Sequence, residues 1–561
     1  MTRFAWINKK DLNTHRQIES SCNIINEEHM PERLLLDCTL RDGGYINDWE
    51  FGHDRIIEIF QRLVSSGVDF IEIGFLDARR TFDINRTIMP DTQSADRIFE
   101  GMDKGRSIVL GMIDYGTCPI ENLQPASESF IDGIRVIFKE HLMYKALEFC
   151  RQVKEKGYLV FAQMVSVTTY TDEKLKEYAE LVNTVKPYAT SMVDTYGLLD
   201  EEHLMHIFGE LDRWLDPEVK VGFHAHNNFQ LGFANARHFL GCDSARPLLA
   251  DGTLYGMGKS AGNAPIELLM MYMNEKLGAH YDVSQVLEAI DNVIMDIYRR
   301  QYWGYNMFFY IAASTKCHPN YVSYLMNKKT LSVKQVTEIL NGLVFEKKLM
   351  YDAKYAEQVY LEYQNMECDD RASLEALTKA FAGRPVLLVG PGRNIIRQKA
   401  KVRKFVEAHA PVVISVNYAP KDIKVDYIFL TNAKRYTRLY NDLQDGFNAE
   451  AQVIATSNVI KTAGRFNYIL NYASLIDKDT EIIDNSLVML LKVMMQTGVN
   501  KAFLAGFDGY SRRMDNYFDV NREYSFAKAK SSYLNDYVKR FLGSVSDRLS
   551  VEFITTSYYN K

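Results

Sequence analysis

Two short segments, far apart in the chain, carry residue types that together could bind a metal ion. The first is DCTLRDGG (37–44), which follows an apolar run and contains Arg41 and Asp42. The second is HAHNN (224–228), in which His224 and His226 are two positions apart. Because successive side chains of a strand point to opposite faces, these two imidazoles share one face of a predicted strand. One carboxylate and two imidazoles on one side of a sheet can bind a divalent metal.

The arginine beside the aspartate adds a second chemical function. The guanidinium of Arg41 can neutralise a substrate oxyanion, and its planar fork offers more fixed donors than a lysine would. A metal acting as a Lewis acid polarises a carbonyl, so that the neighbouring carbon can carry enolate charge. The combination indicates an enzyme that makes or breaks a carbon–carbon bond.

Alternating strands and helices must position these segments. From Leu34 onward, short apolar runs alternate with amphipathic stretches, which predicts parallel strands covered on both faces. Eight such units in roughly 250 residues predict a (β/α)8 TIM barrel, and an open doubly wound sheet is the alternative. The predicted strands are 34–40, 70–76, 107–113, 133–139, 158–165, 189–195, 220–226 and 247–254.

The rest of the chain predicts three further parts. Residues 1–32 are polar and irregular and are expected to form an N-terminal arm before the barrel domain, residues 33–280. Residues 281–383 are mainly helical in pattern and predict an appendage to the barrel. A second α/β rhythm then begins, with apolar runs at 385–394, 411–420, 425–432, 451–458 and 500–511, and it predicts a smaller Rossmann-like α/β domain over 384–561.

Composition and charge argue against several classes of protein. The chain has 561 residues, of which 47% are hydrophobic and 25% charged, as in ordinary globular proteins. A net charge of -6 gives no reason to expect nucleic acid or an anionic membrane as partner. No apolar run approaches the roughly 18–20 residues that cross a bilayer, and the N-terminus lacks the apolar core of a signal peptide. The seven cysteines form no C-x-x-C motif, so we expect a cytoplasmic protein with free thiols.

Five segments, in order, resemble the signatures of the DRE-TIM metallolyases. They are DCTLRDGG, GVDFIEIGF (67–75), VDTYG (193–197), FHAHNN (223–228) and DGTLYGMGKSAGNAPIE (251–267). That superfamily includes HMG-CoA lyase, isopropylmalate and citramalate synthases, and 4-hydroxy-2-oxovalerate aldolase. The sequence is most similar to the aldolase branch, and the resemblance covers roughly residues 33–300.

The resemblance implies a set of metal ligands. Asp42, His224 and His226 match the metal-ligating aspartate and histidines of the family, and Asn263 matches an asparagine that ligates the metal in several members. Oxygen and nitrogen donors without a thiolate suit Mg²⁺ or Mn²⁺, with Zn²⁺ as the alternative. Asn263 follows a glycine and could instead be a turn residue.

The resemblance also implies groups around the substrate. Glu72 matches a family glutamate near the arginine, and a buried glutamate needs a cationic partner, for which Arg41 is the candidate. Thr195 matches a hydroxyl residue near the substrate carboxylate. Three further residues end other predicted strands and could line the same pocket: Gln163, Arg135 and Asp114.

The chain departs from the aldolase branch at the catalytic base. Where that branch has a histidine, separated from RDG by one residue, this sequence has Tyr45. Tyr45 could transfer a proton if a metal lowered its pKa. Tyr305 is an alternative, because the aldolase branch supplies a tyrosine from its post-barrel helices, and it could equally be a packing aromatic. His141 and His238 are further alternatives.

The C-terminal domain carries a weaker signal. VLLVGPGRN places Gly390 and Gly392 between a predicted strand and a helix, where backbone amides could approach a phosphate, but it lacks the third glycine of a dinucleotide fingerprint. The runs SVNYAP, FLTNAKRY and LAGFDGYS are distantly similar to bacterial sialyltransferase-like and pterin-pyrophosphokinase-like proteins. Asn417 and Asp508 of these runs, with the two glycines, are the candidate nucleotide- or nucleotide-sugar-binding residues. A structural or partner-docking domain is the alternative.

The sequence thus predicts a metal-dependent aldolase or lyase acting on a 2-oxo acid, with pyruvate and an aldehyde as the expected small-molecule substrates. A Claisen-type acyl-CoA condensation is the alternative reaction. A transferase or binding protein working through the C-terminal domain, and a barrel without turnover, are alternatives of other classes. We expect a homo-oligomer.

Overall fold

The computed structural model describes residues 32–328, 331–348, 351–364, 368–459, 466–477, 480, 482–519, 523 and 525–560. The chain divides into two compact units, Met1–Ser314 and Thr315–Lys561. Apart from Glu32, the predicted N-terminal arm lies outside the described residues. Within the described ranges, no helix combines the length and the apolar character needed to span a membrane.

The first unit contains a closed parallel barrel, which confirms the predicted fold class. Its strands are β1 (Arg33–Asp37), β2 (Phe70–Leu76), β3 (Ile88–Met89), β4 (Ile108–Asp114), β5 (Gly133–Phe138), β6 (Leu159–Val165), β7 (Ala189–Asp194), β8 (Lys220–Ala225) and β9 (Leu248–Gly252). The order is β1-β9-β8-β7-β6-β5-β4-β2, and the pairing of β1 with β2 closes the barrel. The short β3 pairs with the end of β2 outside this ring.

Helices surround the barrel because their apolar faces must be buried against the strands. In the helix His53–Ser66, for example, the buried positions Ile56, Ile59, Phe60 and Leu63 follow the helical period. The helices of the first unit are α1 (Thr39–Asp42), α2 (Gly44–Asn47), α3 (His53–Ser66), α4 (Thr92–Ile98), α5 (Met143–Glu155), α6 (Asp172–Val185), α7 (Glu201–Trp214), α8 (Gly232–Leu240), α9 (Ile266–Lys276), α10 (Val283–Ala289), α11 (Met295–Arg300) and α12 (Met307–Ser314).

The interior of the barrel is apolar at one end and polar nearer the other. Leu34, Leu36, Phe70, Phe161 and Leu249 belong to one buried apolar cluster. Because side chains alternate along a strand, the residue two positions further on faces the same interior. In β2, β5, β6, β7, β8 and β9 these next inward residues are all polar and buried: Glu72, Arg135, Gln163, Ser191, His224 and Asp251.

A bulge in β2 lies just beyond this polar layer. The pairing of β2 with β4 shifts register between Glu72 and Phe75, as β-bulges do near active sites. Gly74 within the bulge has φ +150°, and a Cβ there would overlap the carbonyl oxygen of Thr87. Only glycine therefore fits this close approach.

The first strand ends earlier than predicted, and this places the RD pair. The carboxylate of Asp37 accepts hydrogen bonds from the backbone N–H and the hydroxyl of Thr39, at 2.9 and 2.8 Å. The chain then makes the single helical turn α1, in which the amides of Arg41 and Asp42 donate to the carbonyl of Cys38. Arg41 and Asp42 therefore lie on a buried turn and not on the strand itself.

The second unit contains a seven-stranded, fully parallel sheet. Its strands are β10 (Val386–Val389), β11 (Val412–Val416), β12 (Tyr427–Leu430), β13 (Gln452–Thr456), β14 (Tyr468–Leu470), β15 (Lys501–Ala505) and β16 (Ser550–Phe553). The order is β14-β13-β12-β11-β10-β15-β16, which is the doubly wound pattern of Rossmann-like domains. The sequence patterns did not reveal β14 and β16.

Helices also precede and cover this sheet. The predicted helical segment 281–383 is divided between the units, with α10–α12 in the first, and its bounds as a domain stay a prediction. The helices of the second unit are α13 (Pro319–Asn327), α14 (Val333–Asn341), α15 (Phe345–Lys348), α16 (Ala353–Gln364), α17 (Arg371–Phe381), α18 (Asn394–Arg397), α19 (Lys399–His409), α20 (Ala433–Asp445), α21 (Tyr472–Leu475), α22 (Ser486–Gln496), α23 (Ser525–Ala529) and α24 (Ser531–Ser544).

The bulge predicts a specific sensitivity of the barrel. We expect Gly74→Ala to lower the free energy of unfolding by about 1–3 kcal/mol, because the added methyl overlaps a backbone carbonyl that cannot move freely. Gly209→Ala is the control, since a methyl at this exposed position of α7 has no described atom within 4 Å outside its own helix. Denaturant unfolding measures both. Equal stabilities of the two variants would contradict the packing assigned to the bulge.

Candidate metal centre

Three side chains predicted as metal ligands converge at the mouth of the barrel. One potential ligand atom from each of Asp42, His224 and His226 lies within 4.8 Å of those of the other two, and all three residues are buried. The two imidazole rings are 5.1 Å apart between centroids and nearly perpendicular. The end of β8, with His224 in the strand and His226 just after it, and a turn after β1 thus present two imidazoles and one carboxylate to a common point.

Asp42 is held in its charged form. Burial alone would raise its pKa, but Arg41 and the two neighbouring histidines outweigh burial and hold the pKa of this carboxyl well below its usual range. Nη1 of Arg41 donates to Oδ1 of Asp42 at 2.5 Å. The backbone amide of Lys259 and the side-chain amide of Asn263 donate to Oδ2 at 3.1 and 2.6 Å.

His224 is oriented by a second carboxylate. Its Nδ1 hydrogen-bonds Oδ2 of Asp251 at 2.8 Å, and Asp251 in turn accepts from Nη2 of Arg135 at 2.5 Å. Burial would raise the pKa of Asp251, but Arg135 and His224 lower it. A carboxylate on one ring nitrogen is the common support of a metal-ligating histidine, and it leaves Nε2 as the ligand atom.

His226 and Asn263 lie next to each other in the candidate metal centre. The two residues form an isolated antiparallel bridge, so the loop after β9 is tied directly to the end of β8. Burial lowers the pKa of His226 to about 3, which keeps its ring neutral and able to ligate. Nδ1 of His226 and Oδ1 of Asn263 are buried and have no hydrogen-bond partner among the described residues.

These unsatisfied atoms test whether the residues fit a metal. A buried polar atom without a partner is costly, and two of them belong to residues beside Asp42. The backbone also leaves space there: a Cβ on Gly258 would overlap the carboxylate of Asp42 and the amide of Asn263. Nitrogen and oxygen donors, a charged carboxylate and an open cradle all suit a divalent cation.

A chain of buried ion pairs links the two ends of this centre. Nε of Arg41 donates to Oε2 of Glu72 at 2.6 Å, which is the cationic partner expected for that glutamate. The same oxygen lies 3.3 Å from Nη1 of Arg135. The series Asp42, Arg41, Glu72, Arg135, Asp251 therefore alternates in sign across the barrel and ends on His224. Strand alternation explains why its strand members all face inward.

The predicted substrate-binding residues lie beside this network. Oε1 of Gln163 accepts from Nη2 of Arg135 at 3.1 Å, while its buried Nε2 has no hydrogen-bond partner among the described residues. The hydroxyl oxygen of Thr195 accepts from the backbone amide of Ser166 at 2.8 Å. Asp194 serves as a strand-end cap, because its carboxylate accepts from the backbone of the loop that follows.

The two tyrosines considered for proton transfer differ in position. The ring of Tyr45 stands edge-on to Trp49 at 4.9 Å, and Nζ of Lys259 lies 5.5 Å from its centre. Burial and the nearby Asp42 raise the pKa of Tyr45 to about 12, opposite to the lowering considered from the sequence. The side chain of Tyr305 is 48% exposed. It is Trp303 of the same run that reaches the loop after β9, donating Nε1–H to the carbonyl of Tyr255.

Two residues of the centre were not identified from the sequence. Asp251 belongs to the DGTLYG segment. Its position two residues after an inward leucine is the sequence signal for an interior carboxylate. Lys259 belongs to the MGKSAGN segment. Burial lowers the pKa of its amine. The position of Lys259 depends on the loop after β9, which no periodicity describes.

The four residues predicted to bind a nucleotide lie at the carboxyl ends of the strands in the second unit. The amides of Gly390 and Gly392 donate to the carbonyls of Ala505 and Gly506 at 2.8 and 2.7 Å, so these N–H groups are used within the fold. Asn417, with a left-handed φ of 59°, exchanges hydrogen bonds with Thr431. Oδ2 of Asp508 accepts from the amide of Asn394 at 2.7 Å.

Comparisons with known proteins bear on the first unit. Residues 33–293 match the family model described as HMGL-like. A 4-hydroxy-2-oxovalerate aldolase of Pelotomaculum thermopropionicum is 28% identical over 243 residues, which cover 43% of this chain and 70% of the relative. An oxaloacetate decarboxylase of Mycobacterium tuberculosis is 28% identical over 264 residues, covering 46% and 75%. The N-terminal domain of a candidate aldolase from Bacteroides vulgatus aligns with a TM-score of 0.44 at 21% identity, covering 52% of this chain and 96% of that one.

These matches confirm the resemblance to HMGL-like lyases for the barrel part of the chain. They also confirm the prediction of a carbon–carbon lyase.

The space beside Gly258 predicts that one added methyl group should disturb the candidate metal centre. We expect Gly258→Ala to weaken binding of Mn²⁺ at least tenfold, because the new Cβ displaces Asp42 and Asn263 from each other. Isothermal titration of the purified protein with Mn²⁺ measures this, and thermal unfolding verifies that the variant is folded. Gly209→Ala should bind as the unsubstituted protein does. A Gly258→Ala protein with unchanged affinity would place the metal elsewhere.

Proposed function

We propose that the barrel is a divalent-metal-dependent aldolase that makes or breaks a carbon–carbon bond through the enolate of a pyruvate-type 2-oxo acid, with an aldehyde as the second reactant. The observation that carries this proposal is the convergence of Asp42, His224 and His226 within 4.8 Å. Similarity to proteins named 4-hydroxy-2-oxovalerate aldolase supports the substrate class.

Asp42, His224 and His226 would hold the metal, and Oδ1 of Asn263 would add a fourth donor. Mg²⁺ or Mn²⁺ suits this set of oxygen and nitrogen donors, with Zn²⁺ as the alternative. When bound, the metal supplies a Lewis acid that polarises the carbonyl of the 2-oxo acid. The remaining steps depend on the side chains of the barrel.

The charge of the buried network favours an anionic substrate once a cation is bound. Three carboxylates, those of Asp42, Glu72 and Asp251, alternate with two guanidiniums, those of Arg41 and Arg135. The network alone therefore carries one excess negative charge, and a divalent cation turns the total to one positive charge. A 2-oxo acid bears one carboxylate, so it neutralises the filled site.

Arg41 is positioned to stabilise negative charge on the substrate. Carboxylates engage its Nε and one Nη1 position, at 2.6 and 2.5 Å, and so fix the plane of the guanidinium. Its remaining N–H groups can donate to the enolate oxygen as charge develops there. Because the arginine is already oriented, little reorganisation accompanies the reaction.

Gln163 and Thr195 supply the polar contacts of the substrate carboxylate in this proposal. Nε2 of Gln163 is a buried donor without a partner in the described structure, and it gains one when a carboxylate binds. The hydroxyl of Thr195 accepts from the amide of Ser166, which leaves its own O–H free to donate.

Tyr45 would act as an acid. With a pKa of about 12, its phenol is protonated at neutral pH. When the enolate carbon attacks the aldehyde carbon, the aldehyde oxygen becomes an alkoxide, and the phenol can donate its proton to that oxygen. In the cleavage direction the phenolate would take the same proton back.

The proposed function predicts enolisation of pyruvate. Incubation of the protein with Mn²⁺ and pyruvate in D₂O should place deuterium in the methyl group of pyruvate, as followed by proton NMR. Asp42→Asn should reduce this exchange to the background rate and weaken Mn²⁺ binding, because the charged ligand is lost. Asp54→Asn, on the outer helix α3, is the matched control and should exchange normally.

Two results would count against the proposal. The first is an Asp42→Asn protein, folded by its thermal transition, that still exchanges at the full rate. The second is an unsubstituted protein that exchanges pyruvate with none of Mg²⁺, Mn²⁺ or Zn²⁺. Exchange into the methyl group of acetyl-CoA but not of pyruvate would favour the Claisen-type condensation.

A further prediction separates the role of Tyr45 as proton donor from the enolisation step. Tyr45→Phe should slow the condensation of pyruvate with acetaldehyde by about 10²–10⁴-fold, the usual contribution of a positioned proton donor. Its Mn²⁺ affinity and its deuterium exchange should stay within a fewfold of the unsubstituted protein. Tyr305→Phe, which removes the hydroxyl of an exposed tyrosine, should condense normally. The reverse pattern would assign the proton to Tyr305.

A further inference from the structure

The second unit contains a large cavity that the proposed aldol chemistry does not use. Its volume is about 780 Å³, and it opens at the carboxyl ends of the parallel strands. It lies where the strand order reverses, because β10 has β11 on one side and β15 on the other. In open parallel sheets, ligands bind in the crevice at this switch point. The volume is that of a small-molecule site.

The floor of the cavity is made by two loops that cross at glycines. Gly392 follows β10 and Gly506 follows β15, and a Cβ on Gly392 would lie 2.5 Å from the carbonyl oxygen of Gly506. Since the amides of Gly390 and Gly392 already donate to this second loop, they are not the donors for a ligand. Groups on the walls must therefore recognise what binds.

One wall offers an unsatisfied acceptor. Oδ2 of Asp508 caps the amide of Asn394 at 2.7 Å, whereas its Oδ1 is buried and has no hydrogen-bond partner among the described residues. Burial raises the pKa of Asp508 to about 6, so the group is a carboxylate at neutral pH. Such an oxygen gains most from a hydroxyl donor, and a carboxylate at a strand end commonly accepts from the diol of a ribose.

The wall beyond β11 and β12 favours an anion. Asn432 and Asn485, which directly precede the helices α20 and α22 of 13 and 11 residues, both line the cavity. Arg435 in the first turn of α20 lines it as well. Helix N-termini and a guanidinium together create positive potential. Asn417 joins the two helix starts, since its Nδ2 donates to Ser486 and Thr431 at 2.8 and 3.1 Å.

The acidic side chains elsewhere in the cavity are Glu357, Glu362 and Asp484, and each has a partner within the fold. Glu357 is paired with Nζ of Lys328 at 3.5 Å. Burial raises the pKa of Asp484, and its carboxyl accepts from the hydroxyl of Tyr472. Lys530 also lines the cavity.

Aromatic rings line the cavity mainly at the end where Asp508 lies, since Tyr510 and Tyr517 follow β15 and Tyr559 follows β16. Tyr418, Tyr510, Tyr517 and Tyr559 line the cavity, and the hydroxyl of Tyr418 donates to the carbonyl of Gly390 at 3.1 Å, which fixes that ring. Tyrosine faces stack on planar heterocycles. Asp508 follows β15 and Arg435 follows β12, three strand spacings apart, or about 14 Å at the usual spacing of neighbouring strands.

We propose that this cavity binds a nucleoside phosphate. The ribose diol donates to Asp508, the base lies among the tyrosines, and the phosphate faces Arg435 and the starts of α20 and α22. The tyrosines that follow β15 and β16, Asp508 after β15 and Arg435 after β12 thus present the order of base, sugar and phosphate in such a ligand. The proposal is independent of the barrel chemistry.

Isothermal titration of the full-length protein tests it. The probes are the 5′-mono- and diphosphates of adenosine, guanosine, cytidine and uridine, each compared with its unphosphorylated nucleoside, with its 2′-deoxy analogue and with inorganic phosphate. We expect at least one nucleoside phosphate to bind at micromolar concentration. Its nucleoside, its 2′-deoxy analogue and inorganic phosphate should each bind at least tenfold more weakly.

Variants locate the binding. Asp508→Asn should weaken binding of the preferred nucleoside phosphate at least tenfold, whereas Asp547→Asn, an exposed acid of the same unit outside the cavity, should bind normally. Thermal unfolding shows whether each variant is folded. The proposal is overturned if no probe binds below millimolar concentration, if inorganic phosphate binds as tightly as the nucleotides, or if Asp508→Asn binds as the unsubstituted protein does.

Discussion

The structure of the barrel interior depends on one series of buried charges that alternate in sign from Asp42 to Asp251 through Arg41, Glu72 and Arg135. Removing one partner from a buried ion pair typically costs about 3–5 kcal/mol, because it leaves an uncompensated charge. Each member therefore fixes the position of the next, although the series as a whole is short of one positive charge. The two ends of the series, Asp42 and the His224 that Asp251 orients, meet at the point where a cation would supply it.

The fold produces this series through strand alternation and two local irregularities. An apolar inward residue occurs at one level of most strands, and the next inward residue is polar, so the polar groups form a layer inside a core that excludes water. The turn after β1 carries Arg41 and Asp42 over this layer, and the bulge at Gly74 ends the regular part of β2 just beyond Glu72. The turn brings the guanidinium of Arg41 to the carboxylate of Glu72, on the regular part of β2.

Much of the barrel fold and of the candidate site could be predicted from the sequence, because strand patterns and short motifs are local. All eight barrel strands were located within a few residues, and the partner expected for Glu72 is the one found. The pairing of Asp251 with His224 and Arg135 could not be predicted, since it depends on how the strands are staggered around the barrel and not on any one segment. The contacts of Lys259 and Gly258 depend on an irregular loop. In the second sheet, β14 has only three residues and β16 alternates with exposed positions, so neither forms the apolar run by which the other strands were recognised.

The candidate sites of the two sheets lie at the same end of their strands for one physical reason. Parallel strands end together, so side chains and loops that follow them converge without any long connection. In the barrel, Nδ1 of His226 and Oδ1 of Asn263 have no hydrogen-bond partner among the described residues, and the proposed cation would be their partner. In the second sheet, the glycine loops satisfy each other, and the unsatisfied atom is an oxygen of Asp508 on the wall. In the two proposals, an acceptor at one end of the cavity and helix N-termini at the other select a ligand that carries both a hydroxyl and an anion, whereas a carboxylate with two imidazoles selects a metal. The unsatisfied atoms, more than the shared position, therefore distinguish the chemistry of the two units.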